Sequence, residues 1–268
     1  MKIGLFDSGI GGLTVLSRLI ESYGGHEYVY FADYANLPYG SKEEKRLRNI
    51  VLHGVEFLIE QGVEVIVSAC NTGDAVLDEQ TKEELSVPYY SIVSAAARAA
   101  SEYSKIGIIT TDQTLKTGVY LKEVLKYNPM ATIYQKSAPL FVQLVEEGVW
   151  EGKMVNAAVD YYLRDMKKWA PETVILGCTH YPFLMKAISK YLGKIELLDP
   201  AQFLVKELEN VIPKSDEEGK ITFFVTGNVE KFRTMIQRVK LKLLNSELHR
   251  QTSVNDFVHP VQLVDEMA

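Results

Sequence analysis

The chain alternates between two hydrophobic periods. Short, largely apolar runs at Lys2 to Phe6, Glu27 to Phe31, Val63 to Val67, Lys105 to Ile109 and Thr173 to Leu176 have the pattern of strands buried on both faces. Further strand candidates lie at Val87 to Ile92, Ala131 to Gln135, Ile195 to Leu198 and Ile221 to Val225. Between these runs the apolar residues recur at helical spacing. Leu13, Leu16, Leu19 and Ile20 predict a helix to about Ser22. Leu47, Ile50, Val51, Val55, Leu58 and Ile59 predict a second, opened by a capping box of Ser41 and Glu44. Val155, Ala158, Val159, Tyr162 and Met166 form the apolar face of a third, from Gly152 to Lys168.

Polar punctuation supplies the remaining elements. Thr110 to Thr114 suits an N-cap for a helix running to about Lys126, and Pro139 to Glu147 predicts another. Pro182 and Pro200 suit the first turns of two more, and Val229 opens one ending near Leu244. Ser94 to Ala100 reads as an alanine-rich connection and Lys214 to Lys220 as a charged turn, while the last two dozen residues carry no clear pattern. Strand and helix alternate throughout, so the fold class is α/β with mostly parallel sheets flanked by helices. The expected organisation is two similar lobes, residues 1–93 plus 208–268 and residues 94–207, with a ligand in the cleft between them. Sheets of this kind bind at the C-terminal ends of their strands.

Composition narrows the function. The net formal charge of −6 comes without a basic stripe, which argues against nucleic acid as a partner. No apolar run approaches the ~18 residues of a membrane span, and the first strand begins at Lys2 with no signal sequence ahead of it. Two cysteines in 268 residues are no disulfide framework, and a reducing cytoplasm would keep both free.

Those two cysteines carry the candidate chemistry. Cys70, in Ser68-Ala69-Cys70-Asn71-Thr72, and Cys178, in Leu176-Gly177-Cys178-Thr179-His180-Tyr181-Pro182, each follow a buried strand where a helix N-terminus is expected. Such a position lowers a thiol's pKa, as does a nearby cation. The glycine-rich turn Asp7-Ser8-Gly9-Ile10-Gly11-Gly12 lacks Rossmann spacing but presents N–H groups to an anion, and Tyr39 lies in an aromatic loop that can face a ligand. Two thiols on opposite sides of one carbon suit inversion of a stereocentre by general acid–base catalysis, with Asp7 and His180 as tuning groups. Rival readings are a redox couple, opposed by the absence of C-x-x-C, and a two-lobed binding protein without catalysis. Two cysteines and five scattered histidines are a poor zinc set.

At this point the chain resembles the cofactor-independent glutamate racemases of the aspartate/glutamate racemase superfamily. The matching stretches are Phe6 to Leu13, Leu37-Pro38-Tyr39-Gly40, Ala69 to Thr72 and Gly177 to Pro182. Weaker matches are Thr111 with Thr114, Leu144-Val145-Glu146, and Thr226-Gly227-Asn228 followed by Phe232. The resemblance implies interconversion of L- and D-glutamate, supplying peptidoglycan synthesis, with neither pyridoxal phosphate nor metal. It implies that Cys70 acts on D-glutamate and Cys178 on L-glutamate, assisted by Asp7 and His180. Asp7, Ser8, Tyr39, Gly40, Asn71, Thr72, Thr114, Thr179 and His180 are the implied substrate contacts. Glu146 matches an auxiliary acid, against which stands an exposed helix carboxylate. A cytoplasmic homodimer is expected, with an aspartate racemase as the alternative activity. Where the family has Ala-Ser after the first cysteine motif, this chain has Gly73-Asp74, a carboxylate expected to raise the Cys70 pKa if buried nearby. Thr110 replaces a usual Gly, and Ser94-Ala95-Ala96-Ala97 a connection that normally carries Gly and Pro.

Overall fold

The structure, a computed structural model, describes residues 1–215, 219–243 and 258–260. The chain runs β1 (Lys2–Asp7), α1 (Leu13–Tyr23), β2 (Glu27–Ala32), α2 (Glu44–Glu60), β3 (Val65–Ser68), α3 (Asn71–Ala75), α4 (Glu79–Glu84), β4 (Tyr89–Tyr90) and α5 (Ile92–Ala100). It continues through β5 (Lys105–Thr110), α6 (Asp112–Thr117), α7 (Val119–Tyr127), β6 (Thr132–Ser137), α8 (Pro139–Glu146) and α9 (Lys153–Trp169). Next come β7 (Thr173–Gly177), α10 (Met185–Leu192), β8 (Glu196–Leu198), α11 (Pro200–Glu207), β9 (Lys220–Val225), α12 (Val229–Leu243) and β10 (Val258–Pro260). One sheet has the order β10-β9-β2-β1-β3-β4 and the other β6-β5-β7-β8. Every strand pair is parallel. This is the α/β class, with two parallel sheets flanked by helices. No described helix is long and apolar enough to cross a membrane.

The strands most completely buried are the inner ones. Along β1, Ile3 and Leu5 enter one core while Phe6 enters another, as the two-residue period of a strand requires. The larger core joins the two sheets: it contains Leu5 and Val67 from the first, Ala95 to Ala97 of α5, and Ile108 and Ile175 from the second. The smaller packs Phe6, Val29 and Ile66 under Leu47, Val51 and Val55 of α2. Each such side chain contributes about 1.5–3 kcal/mol of burial. The inner strands β1, β3, β5 and β7 are therefore firm supports for the loops at their C-terminal ends.

Several local expectations are corrected. The cap of α2 is Glu43, whose carboxylate accepts from the N–H groups of Lys45 and Arg46; Ser41 instead closes a 3₁₀ turn. The predicted helix from Thr110 to Lys126 is two helices, because Gly118 takes a left-handed φ of 64°. Ser94 to Ala100 is no connection but most of α5, capped by Ser91, and the preceding strand shrinks to Tyr89–Tyr90. Leu163 is fully buried on α9, whereas Tyr162 is only half-buried. Pro182 sits in a 3₁₀ turn, Tyr181–Leu184, that precedes α10. Residues 216–218 of the charged turn and most of the patternless C-terminal stretch lie outside the described residues; Val258–Pro260 pairs with β9.

A charged link joins α1 to the start of α11. Arg18 donates through Nε and Nη2 to Asp199 Oδ2 at 3.1 and 2.7 Å, while Asp199 Oδ1 caps α11 by accepting from the Ala201 N–H. Asp199 is buried and Arg18 is about one-third exposed at its side chain. Asp199→Ala removes the cap and strands the guanidinium, which should cost about 1–3 kcal/mol in urea unfolding. An unchanged midpoint would show that the link contributes nothing.

Candidate active site

Cys70 stands where β3 becomes α3. It is the N-cap of that one-turn helix, and its Sγ accepts from the Gly73 N–H at 3.4 Å. Cys178 follows β7 but does not open an α-helix, contrary to expectation. Its N–H is bound to the Leu176 carbonyl at 2.8 Å, its carbonyl receives the Tyr181 N–H at 3.0 Å, and the 3₁₀ turn follows. Both thiols are free and buried. The two cysteine loops thus reach the same place by different local geometry.

His180 lies beside Cys178, with Nδ1 3.6 Å from Sγ, and its Nε2 is 2.7 Å from Glu146 Oε1. Glu146 is not an exposed helix carboxylate but 4% exposed, and it also accepts from Tyr34 Oη at 2.7 Å and the Ile10 N–H at 3.1 Å. The carboxylate on α8 thereby joins His180 of the second sheet's loops to Tyr34 and Ile10 of the first. Asp7 is fully buried at the end of β1, where Oδ1 accepts from the Gly9 N–H at 2.8 Å and Oδ2 from Thr179 Oγ1 at 2.9 Å. Gly11 permits this approach: a Cβ there would stand 2.4 Å from Thr179 Oγ1 and 2.6 Å from His180 Nδ1.

One cavity of about 70 Å³ opens onto both sulfurs. A water needs roughly 10–15 Å³, so the space suits a ligand of several heavy atoms. Ser8, Tyr39, Gly40, Asn71, Thr72, Thr179 and His180 line it together with Cys70 and Cys178. Two expected contacts stand behind the wall. Asp7 has both carboxylate oxygens held as above, and Thr114 shares hydrogen bonds of 2.9 and 3.1 Å with Thr111 and Thr72. Thr111 itself reaches the cavity. No lysine or arginine is among the lining residues. The Asn71 amide is held by Tyr120 Oη, 2.5 Å from Oδ1, and its buried Nδ2 has no partner among the described residues. That leaves a donor in the wall.

Electrostatics sort the ionisable groups. Burial foremost, then the Asp7 charge, push the Cys70 thiol well above the ordinary thiol range, and the Cys178 charge adds to this; the Gly73 and Ser8 N–H groups oppose it. Asp74, the carboxylate expected near that thiol, is buried and paired with Lys82 Nζ at 2.9 Å. Burial also raises Asp7, against the pull of His180 and of the Gly9 N–H. Burial opposes a charged His180, yet hydrogen bonds to Cys178 and Glu146 win and hold the imidazole well above its usual range. The same partnership outweighs burial at Glu146 and holds its carboxyl below the usual range. His180 and Glu146 are therefore a buried hydrogen-bonded pair in which each favours the charged form of the other.

The sequence missed several wall residues. Pro38 lies within the Leu37-Pro38-Tyr39-Gly40 stretch, Asp112 within Thr110 to Thr114, and Ser41 directly follows Gly40, so position alone was a usable signal. Pro139, Val142 and Gln143 come from the first turns of α8 and sit in no motif; only the position of Val142 and Gln143, four and three residues before Glu146 on the same helix, hints at the site. Tyr34 gave no signal at all.

A family model describing Asp/Glu/hydantoin racemases matches residues 14–208. The glutamate racemase of Aquifex pyrophilus is 40% identical over 242 residues, which are 89% of this chain and 94% of that protein. The crystal structure of glutamate racemase from Thermus thermophilus in complex with beta-chloro-D-alanine superposes with a TM-score of 0.84 at 37% identity, over 98% of this chain and 97% of that one. That of Francisella tularensis, in complex with D-glutamate, gives 0.85 at 29% identity, over 97% of each chain. Sequence and fold agree over nearly the whole length, and the chain belongs to the Asp/Glu/hydantoin racemase family, among its glutamate racemases.

Proposed function

We propose that this protein interconverts L- and D-glutamate without a cofactor, with Cys70 and Cys178 as an acid–base pair on opposite faces of the α-carbon. The observation that carries the reading is one cavity shared by two free, buried thiols from two different sheets. From L-glutamate, the Cys178 thiolate takes the α-proton, so the C–H bond breaks as an S–H bond forms. The Cys70 thiol then gives its proton to the other face of the carbanion, and becomes the thiolate. From D-glutamate the roles exchange. Protonated His180 donates toward the Cys178 sulfur, and Asp7 acts on Cys70 through its charge.

Substrate carboxylates meet hydroxyls, amides and N–H groups in place of cationic side chains. Ser8, Asn71, Thr72, Thr111 and Thr179, with the Tyr39-Gly40 turn, are the assigned contacts. Fixed dipoles suit this task, since they need no reorganisation as charge develops at the α-carbon. The two lobes are residues 1–93 plus 208–268 and residues 94–207. On the same reading the protein is a cytoplasmic homodimer whose D-glutamate enters peptidoglycan synthesis.

Circular dichroism of purified protein with L-glutamate or L-aspartate, with no added cofactor, tests the activity. L-Glutamate should lose its signal, and L-aspartate, one methylene shorter, should react at least about 10-fold less efficiently. Cys70→Ala and Cys178→Ala should each abolish turnover. Preference for aspartate would move the assignment to the alternative racemase, silence with both substrates would favour a binding protein, and a cysteine variant at wild-type rate would remove the two-base mechanism.

The pH profile follows from the buried groups. The active form holds one proton between the two sulfurs. Because the folded environment raises Cys70, its proton is retained through the ordinary thiol range near 8.5 and lost only above it. His180, also raised, stays charged through neutrality. The kcat/KM should therefore hold from pH 7 to about 8.5 and fall only at higher pH. The profiles for the two enantiomers should superimpose, since the equilibrium constant of a racemisation is one at every pH. A decline between pH 7 and 8 would contradict this account of the thiols.

A further inference from the structure

Helix α3 has only five residues, yet its first two line the cavity together with the cysteine that caps it. A single turn of helix does not hold itself, because nucleation fixes many dihedrals for one hydrogen bond. The anchor is Asp74. Its N–H donates to the Cys70 carbonyl at 2.8 Å, which ties the anchor directly to the cysteine. Its carboxylate is wholly buried and accepts from Tyr89 Oη at 3.1 Å, Ser91 Oγ at 2.5 Å, the Val93 N–H at 3.0 Å and Lys82 Nζ at 2.9 Å. These donors come from β4, from the cap and first turn of α5, and from α4. Lys82 is itself largely buried, and Glu79 is a second, longer contact at 3.6 Å.

A buried carboxylate is costly unless its charge is paired and its lone pairs are filled, and here both conditions are met. Removing one partner should therefore move the helix, since the remaining charge must seek water. We propose that Asp74, clamped by Lys82, is the positioning residue that holds Cys70, Asn71 and Thr72 against the cavity and so sets the approach of the Cys70 sulfur to the substrate α-carbon. The proposal rests on the racemase reading above. Asp74 acts by geometry, through its N–H held on the Cys70 carbonyl.

The test compares wild type, Asp74→Asn and Lys82→Met with α-protio and α-deutero forms of both enantiomers. Misplacing a reacting group by about 1 Å can cost 10²-fold, so kcat/KM should fall about 10- to 100-fold, equally in both directions. The deuterium effect on kcat/KM should grow for D-glutamate, which Cys70 deprotonates, and shrink for L-glutamate. A merely structural role would lower the active fraction and leave both isotope effects at wild-type values; that result, or wild-type kcat/KM, overturns the proposal. Should Asp74→Asn fail to fold, Lys82→Met, which leaves three uncharged donors on Asp74, distinguishes the same two outcomes. A wild-type protein that does not racemise glutamate overturns the underlying reading, a failure distinguished by needing no variant.

Discussion

The site depends on burying two thiols where the ends of two sheets meet. Burial supplies a small, walled cavity in which fixed dipoles act with little competition from water. The same burial disfavours thiolate, as the raised Cys70 shows. The chain answers this with local donors. Gly73 and Ser8 present N–H groups to Cys70, while His180 stands 3.6 Å from the Cys178 sulfur. The two sulfurs consequently occupy different electrostatic settings, one against a buried carboxylate and one against an imidazolium.

That asymmetry has a structural cost which other contacts offset. An imidazolium in the interior requires a counter-charge, and Glu146 provides it from α8. Glu146 in turn accepts from Tyr34 and from the Ile10 N–H, so the pair beside Cys178 also joins one set of loops to the other. The Thr72, Thr111 and Thr114 hydroxyls make a second, uncharged join at the other side of the cavity. The cavity wall and the apposition of the two sheets thus share the polar groups of Thr72, Thr111 and His180.

Much of this was legible in the chain, and the reasons are local. Buried parallel strands are apolar runs, so β1, β3, β5 and β7 and the residues at their ends could be read directly. Both cysteine motifs were found that way. What escaped depended on partners far along the chain. Ile10 and Glu146 are 136 residues apart, and nothing at either position announces the other. Tyr34, 112 residues from Glu146, is hidden for the same reason. The local errors have their own causes. Ser94 to Ala100 combines the strongest helix former with a serine cap at Ser91, a signal masked by the apolar residues before it. Gly118 interrupts a continuous helical pattern through its backbone φ, which periodicity does not record.

In the proposed reaction one thiol serves each face of the α-carbon. L-Glutamate incubated with the protein in D₂O, stopped at low conversion and analysed by chiral chromatography with mass spectrometry, tests it most directly. The D-glutamate formed should carry one α-deuterium while the remaining L-glutamate stays protiated. Deuterium accumulating equally in the remaining L-glutamate would mean that a single exchangeable group serves both faces, and would contradict it.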